Sequence, residues 1–158
     1  CEGETECRVR GIVGWPDGNL ATCTASPRIG LVETHLDLKH PALASQKIEM
    51  IDVKPKDRAQ SRTDHGTGIA SLLVGAEGSV AEGLLPSAEL VVATPFYKAS
   101  DGDRAEAADL IRAIDAVVAR NPDVLNLSLA GPPNAALEKV LEAVQAKGIP
   151  VVAAAGNG

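Results

Sequence analysis

The sequence has few aromatic residues and no long hydrophobic run. One Trp, one Tyr and one Phe occur among 158 residues, although 45% of the chain is hydrophobic. A core made of Ala, Val, Leu and Ile is typical of a parallel sheet covered by helices, whose strands are buried on both faces. No segment approaches the roughly 18 apolar residues of a membrane helix, so a membrane is not an expected partner.

Basic charge is scarce as well. The formal net charge is −6, and no basic stripe is present that could neutralise the phosphates of a nucleic acid. The same balance argues against an anionic membrane surface. The length suits one domain with a packed core.

Cysteine is confined to the start of the chain, at Cys1, Cys7 and Cys23. We interpret residues 1–27 as a cysteine-containing arm and residues 28–158 as the main domain. Clustered cysteines favour a disulfide and an extracytoplasmic location, secreted or periplasmic, with free thiols as the alternative. Zinc is not expected because three thiols lack a fourth partner. The odd count leaves one thiol free or paired outside the chain.

Apolar runs alternate with segments of helical periodicity. The runs that predict strands are 29–32, 90–93, 124–127 and 149–154. The segments that predict helices are about 65–74, 104–120 and 134–148. This alternation predicts a three-layer α/β/α domain with a parallel sheet and helices on both of its faces.

Polar residues follow three of the predicted strands. Glu33 follows the first, Ser128 the third and Asn157 the fourth, and the carboxyl ends of parallel strands form the usual binding edge. His65 begins a helix, where the macrodipole disfavours an imidazolium and so favours a neutral general base. Taken singly, each residue is more often structural: a loop carboxylate, a helix-start histidine or a turn asparagine. Their order along the chain is the stronger signal.

Five segments occur in an order typical of one protease family. They are "IGLVETHLDLKHP", "HGTGIA", "EGLLPSAELVVA", "DVLNLSLAG" and "AAAGN". Together they resemble the first half of a subtilisin-like serine protease, a subtilase of peptidase family S8, over residues 28–158. The resemblance implies an incomplete subtilisin-like domain that hydrolyses peptide bonds in proteins through a Ser-His-acid triad.

The resemblance also implies roles for particular residues. Glu33 occupies the position of the family's Asp, His65 would be the general base, and Asn157 would donate its side-chain amide to the oxyanion. The residues that would pair with the substrate backbone as an edge strand are Ser128, Leu129 and Ala130. The residues that would form a wall of the first specificity pocket are Ala154, Ala155 and Gly156.

The nucleophile motif of the family, G-T-S-x-A, does not occur in residues 1–158. We expect the nucleophilic serine to lie in a missing C-terminal half, and the fragment alone to be inactive. A parallel sheet without its last strands exposes an apolar edge. We therefore expect the fragment to be unstable, to dimerise, or to stay bound to that half.

The acid at position 33 is Glu where the family has Asp. Its extra methylene moves the carboxylate by more than roughly 1 Å, and a misplacement of about that size can cost on the order of 100-fold in rate. Three interpretations are open: a native orienter on an adjusted backbone, a degenerate member such as a catalytically inactive, peptide-binding pseudoprotease, or an engineered change. A working acid must lie within about 3.5 Å of a ring nitrogen of His65. His35, at the position of a small residue, must point away from the groove or narrow it.

Cofactors are not expected. Asp101 and Asp103 in "SDGD" could coordinate calcium, but capping of the following helix is the expected role. A nucleotide-binding α/β domain is disfavoured because no G-x-G-x-x-G or P-loop follows a strand.

Overall fold

A computed structural model describes residues 26–156. The three cysteines and nearly all of the predicted arm lie outside the described residues, as does Asn157. The disulfide and the oxyanion role therefore stay predictions.

In the described part of the chain, five parallel strands form the main sheet. Their bounds are β1 Arg28–Val32, β2 Ile48–Asp52, β3 Glu89–Thr94, β6 Val124–Leu127 and β7 Val151–Ala153. Their order across the sheet is β2-β3-β1-β6-β7. A short antiparallel hairpin stands apart from this sheet and consists of β4 Tyr97–Ala99 and β5 Gly102–Arg104.

Within residues 26–156, three helices cover the two faces of the sheet. They are α1 Asp64–Val74, α2 Ala107–Val118 and α3 Ala135–Ala146. On one face, α1 packs with Leu31 and Val92 in a buried apolar cluster. On the other face, α2 and α3 pack with Val32 and Leu125. Successive β1 residues thus face opposite helix layers, as a pleated strand requires, and the predicted α/β/α fold is confirmed.

The predicted cap at the start of α3 is also confirmed. The side chain of Asn134 accepts hydrogen bonds from the backbone N–H groups of Ala136 and Leu137, each at 3.0 Å. Asn is among the preferred residues at this position because its oxygen satisfies N–H groups of the first turn.

The capping role expected of Asp101 and Asp103 is wrong. Both lie in or beside the β4–β5 hairpin, and α2 begins only at Ala107, with Glu106 at its N-cap and no side-chain cap bond. Asp103 instead binds Arg62, whose Nε lies 3.1 Å from a carboxylate oxygen. Asp101 pairs with Arg104. These ion pairs compete successfully with the helix start for the two carboxylates.

The carboxyl ends of β1, β6 and β7 lie at one edge of the sheet. In the register, Leu31 is paired with Asn126 and Leu127 with Ala153. The residues that follow these strands are therefore delivered to the same side of the molecule. This edge is where the candidate site is formed.

Candidate active site

Glu33 and His65 are in direct contact. Oε1 of Glu33 lies 2.9 Å from Nδ1 of His65, although 32 residues separate them in sequence. Glu33 comes directly after β1 and His65 is the second residue of α1. The glutamate side chain is 2% exposed, whereas that of the histidine is 57% exposed. The geometric condition that the sequence sets for a working acid is met.

This contact selects one tautomer of the imidazole. An ionised carboxylate only accepts hydrogen bonds, so the proton of a neutral His65 resides on Nδ1 and Nε2 keeps its lone pair. Oε1 of Glu33 also accepts from the backbone N–H of Thr34 at 2.6 Å. Oε2 is buried and has no hydrogen-bond partner among the described residues. A carboxylate held out of water beside the ring stabilises a positive charge that forms on it.

The glycine after His65 permits a close approach of the acid-bearing loop. A Cβ atom on Gly66 would stand 2.6 Å from the carbonyl oxygen of Thr34 and 2.9 Å from that of His35. The backbone N–H of His35 donates to Oγ of Ser61 at 2.9 Å. The start of α1 and the segment before it therefore each contact the loop after β1. Glycine at position 66 is a steric requirement of this contact.

His35 is half-buried beside the end of β2. Burial lowers the pKa of His35 from its ordinary value of 6.5, the charge of Asp52 acts in the opposite direction, and Lys54 lowers it further. The charged groups that act on His35 are thus Asp52 and Lys54, and neither belongs to the acid–base pair. The structure gives it no hydrogen bond to Glu33 or His65, and its position is that of a side chain packed beside the site.

The predicted substrate strand lies beside a cavity. Oγ of Ser128 accepts from Nδ2 of Asn126 at 2.8 Å. Leu129 and Ala130 line a cavity of about 510 Å³. Sequence reasoning missed the apolar side chains that line this cavity from other elements, which are Phe96, Leu110 and Leu137. Two of them belong to the periodic apolar stripes of α2 and α3, so they resembled ordinary core residues.

The predicted pocket wall follows β7 at the same sheet edge. The N–H of Ala154 donates to the carbonyl oxygen of Leu127 at 3.2 Å, which holds this segment against the end of β6. Ala154, Ala155 and Gly156 are exposed. Gly156 has a φ of 88°, a left-handed conformation that favours glycine.

A second cavity, of about 650 Å³, adjoins His65 on the α1 side. Gly68 and Leu72 contribute to its lining, and both are exposed. The two cavities lie toward opposite helix layers. His65 is therefore bordered by open space along α1 as well as by the acid loop.

Within residues 26–156, no three side chains of His, Cys, Asp or Glu are grouped so that they could hold a metal ion.

In the part of the chain that the structure describes, no helix has the length and apolar character needed to cross a membrane.

Solved structures define the class of fold. The prenylagaramide maturation protease PagA matches with a TM-score of 0.68 at 24% identity, over 83% of this chain and 46% of that one. The S218A mutant of the protease domain of PatA matches with a TM-score of 0.70 at 21% identity, over 85% and 52%. This chain has a subtilisin-like α/β fold and covers part of that domain.

Sequence comparison identifies the family. The family described as "Subtilase family" matches residues 25–158, and the chain belongs to this family of serine proteases. It is 28% identical over 132 residues to subtilisin E of Bacillus subtilis strain 168, over 82% of this chain and 34% of that protein. It is 27% identical to a subtilisin of Bacillus pumilus, over 82% and 47%. The chain thus spans between a third and a half of these curated relatives.

Proposed function

We propose that this chain supplies the acid and the base of a serine endopeptidase, and that a serine outside residues 1–158 completes the triad. The observation that carries the proposal is the 2.9 Å contact between Glu33 Oε1 and His65 Nδ1. A buried acid, an exposed imidazole and an open sheet edge are the parts that this mechanism needs from one half of the domain. Family membership supports the reaction class.

In this mechanism, Nε2 of His65 removes the proton from the serine hydroxyl as its oxygen attacks the scissile carbonyl. Glu33 keeps the imidazole in the required tautomer and stabilises the imidazolium. His65 then gives the proton to the leaving amine, and water repeats the cycle on the acyl-enzyme. Asn157 donates its amide to the oxyanion, where the interaction strengthens as charge develops.

The substrate binds as an extended peptide along Ser128, Leu129 and Ala130. Its backbone pairs with this segment by β-augmentation. The adjoining 510 Å³ cavity, lined by Leu110 and Leu137, accepts an apolar side chain of the substrate. The small residues of segment 154–156 leave room for the side chain next to the scissile bond.

The proposed partner is a nucleophile-bearing segment of the same protease domain. Within the described residues β7 is an edge strand, and Val152 on it is 55% exposed. A further strand on this edge would cover that side chain and pair the open backbone groups. We place the protein outside the cytoplasm, since the cysteine pattern suits an oxidising compartment. No cofactor takes part in the proposed chemistry.

Labelling with a serine-directed fluorophosphonate tests the proposal. The natural protein that carries residues 1–158 together with its nucleophile segment should label, and His65→Ala should slow labelling by at least about 100-fold. His40→Ala is the matched control, because the ring of His40 accepts a hydrogen bond from the Ala42 N–H at 3.3 Å and has none to Glu33 or His65 among the described residues. Absence of labelling in the wild-type protein, combined with tight binding of extended peptides, would instead identify a peptide-binding module without turnover.

A further inference from the structure

Helix α1 receives its N-terminal cap from another part of the chain. Thr63 occupies the N-cap position, yet its side chain makes no capping hydrogen bond. An N-cap side chain ordinarily accepts from the second or third N–H of the helix. In α1 the third N–H belongs to Gly66, and it donates to Oγ1 of Thr34 at 2.9 Å. The hydroxyl that caps this helix therefore comes from the loop after β1.

Thr34 also contacts the candidate acid. Its backbone N–H donates at 2.6 Å to Oε1 of Glu33, the same oxygen that lies 2.9 Å from Nδ1 of His65. Thr34 is 7% exposed, so both contacts are shielded from water. One hydrogen bond thus joins Glu33 to His65. A second joins their chain neighbours Thr34 and Gly66. They close a ring that fixes the start of α1 relative to the end of β1.

Steric contact sets a lower limit on the distance between the start of α1 and the loop after β1, and hydrogen bonding sets an upper limit. Gly66 already approaches the Thr34 carbonyl so closely that an added Cβ would stand at 2.6 Å, which limits any further approach. The hydroxyl of Thr34 limits withdrawal, since loss of its bond would leave a buried N–H unpaired. We propose that Thr34 is a positioning residue, whose hydroxyl holds α1 where the longer Glu33 carboxylate meets Nδ1 of His65. This inference rests on the proposed function.

Thr67 provides a matched comparison. Its Oγ1 accepts from the backbone N–H of Asp37 at 2.9 Å, and the residue is 8% exposed. A second threonine hydroxyl thus joins the same helix to the same loop, and its hydrogen bond has the same length and similar burial. This second bond contacts neither Glu33 nor His65. A purely structural role for threonine hydroxyls at this contact would make the two positions equivalent.

Steady-state kinetics on the natural protein with its nucleophile segment tests the proposal. Thr34→Val keeps the side-chain shape and removes the acceptor, and should lower kcat by about 10- to 100-fold with KM changed less than about threefold. Thr34→Ser should retain kcat within about threefold. Thr67→Val should lower the melting temperature as Thr34→Val does but leave kcat within about threefold. If Thr34→Val does not fold, Thr34→Ala removes the hydroxyl without β-branching.

A second measurement keeps this inference separate from the proposed function. The Nδ1 proton of His65 is observable by NMR without turnover. Its downfield resonance should persist in the wild-type protein, in Thr34→Ser and in Thr67→Val, and should weaken or vanish in Thr34→Val. Equal kcat in the two valine variants, or an unchanged resonance in Thr34→Val, would overturn the positioning role. A wild-type protein without turnover would refute the proposed function, and the resonance would still decide the role of Thr34.

Discussion

Replacing Glu33 by the aspartate that the family carries at this position should impair the protein. Glu33→Asp removes about 1.5 Å of side-chain length. The separation between the carboxylate and Nδ1 of His65, now 2.9 Å, would grow to roughly 4 Å if the backbone stays in place. That exceeds the reach of a hydrogen bond. Gly66 already lies against the loop after β1, so the backbone cannot move closer to restore the contact between the carboxylate and Nδ1 of His65.

The structure sets the size of the effect. The shortened side chain would also release the N–H of Thr34, which now donates to Glu33 at 2.6 Å, and an unpaired buried donor costs about 1–3 kcal/mol. The lost methylene adds about 0.8 kcal/mol. We expect the melting temperature to fall by roughly 5–10 °C. A carboxylate displaced by about 1 Å should lower kcat/KM by about 100-fold.

Thermal unfolding and peptide hydrolysis, measured on the same samples, test this prediction. Glu138→Asp is the control, since Glu138 is exposed in the first turn of α3, away from the site, and should change stability by less than about 0.5 kcal/mol. Equal or higher kcat/KM in Glu33→Asp, with an unchanged melting temperature, would refute the reasoning. It would mean that the backbone accommodates either acid.

Three further predictions concern single groups. The hydrogen bond to Glu106 raises the pKa of Tyr97 above its ordinary value of 10.0; ultraviolet titration of this sole tyrosine should show a lower pKa in Glu106→Gln, and identical curves would contradict the assignment. Because burial lowers the pKa of His35 below 6.5, the unfolded chain binds more protons, so the free energy of unfolding should drop as pH falls through about 6.5. Urea titrations at several pH values should show a smaller drop in His35→Gln than in the wild-type protein. The same pH dependence in both proteins would count against this role of His35. Gly66→Ala should destabilise the fold by about 1–3 kcal/mol. Gly68→Ala, with nothing within 4 Å of the new methyl group, should stabilise it by about 1 kcal/mol. Calorimetry that shows stability changes of the same sign for both variants would exclude the steric role of Gly66.

The sequence predicts β1, β3, β6 and the edge strand β7, and misses β2 and the β4–β5 hairpin. β3 is buried along nearly its whole length, so its apolar run is conspicuous. β2 lies at a sheet edge, and half-buried Ile48 and Met50 alternate with exposed Glu49, which weakens the apolar signal. In the β4–β5 hairpin, Asp103 binds Arg62, which is 41 residues away in sequence. No local pattern reveals such a contact.

The order of motifs locates the acid and the base but leaves their contact open. Whether Glu33 reaches His65 depends on backbone positions within about 1 Å, which residue spacing does not specify. The hydroxyl of Thr34 illustrates the same limit. A threonine after the acid is visible in the sequence, but its bond to Gly66 appears only when β1 and α1 are packed together.

The burial of Glu33 bears on which interpretation of the longer acid holds. One carboxylate oxygen has no hydrogen-bond partner among the described residues, so the group loses hydration without full compensation. A buried carboxylate that is not fully hydrogen-bonded destabilises the fold, so an apolar residue of similar volume at this position would relieve that cost. A site that had lost its function would be free to drift toward such a replacement. The carboxylate, held 2.9 Å from an exposed imidazole, has the geometry that the proposed orienter role requires.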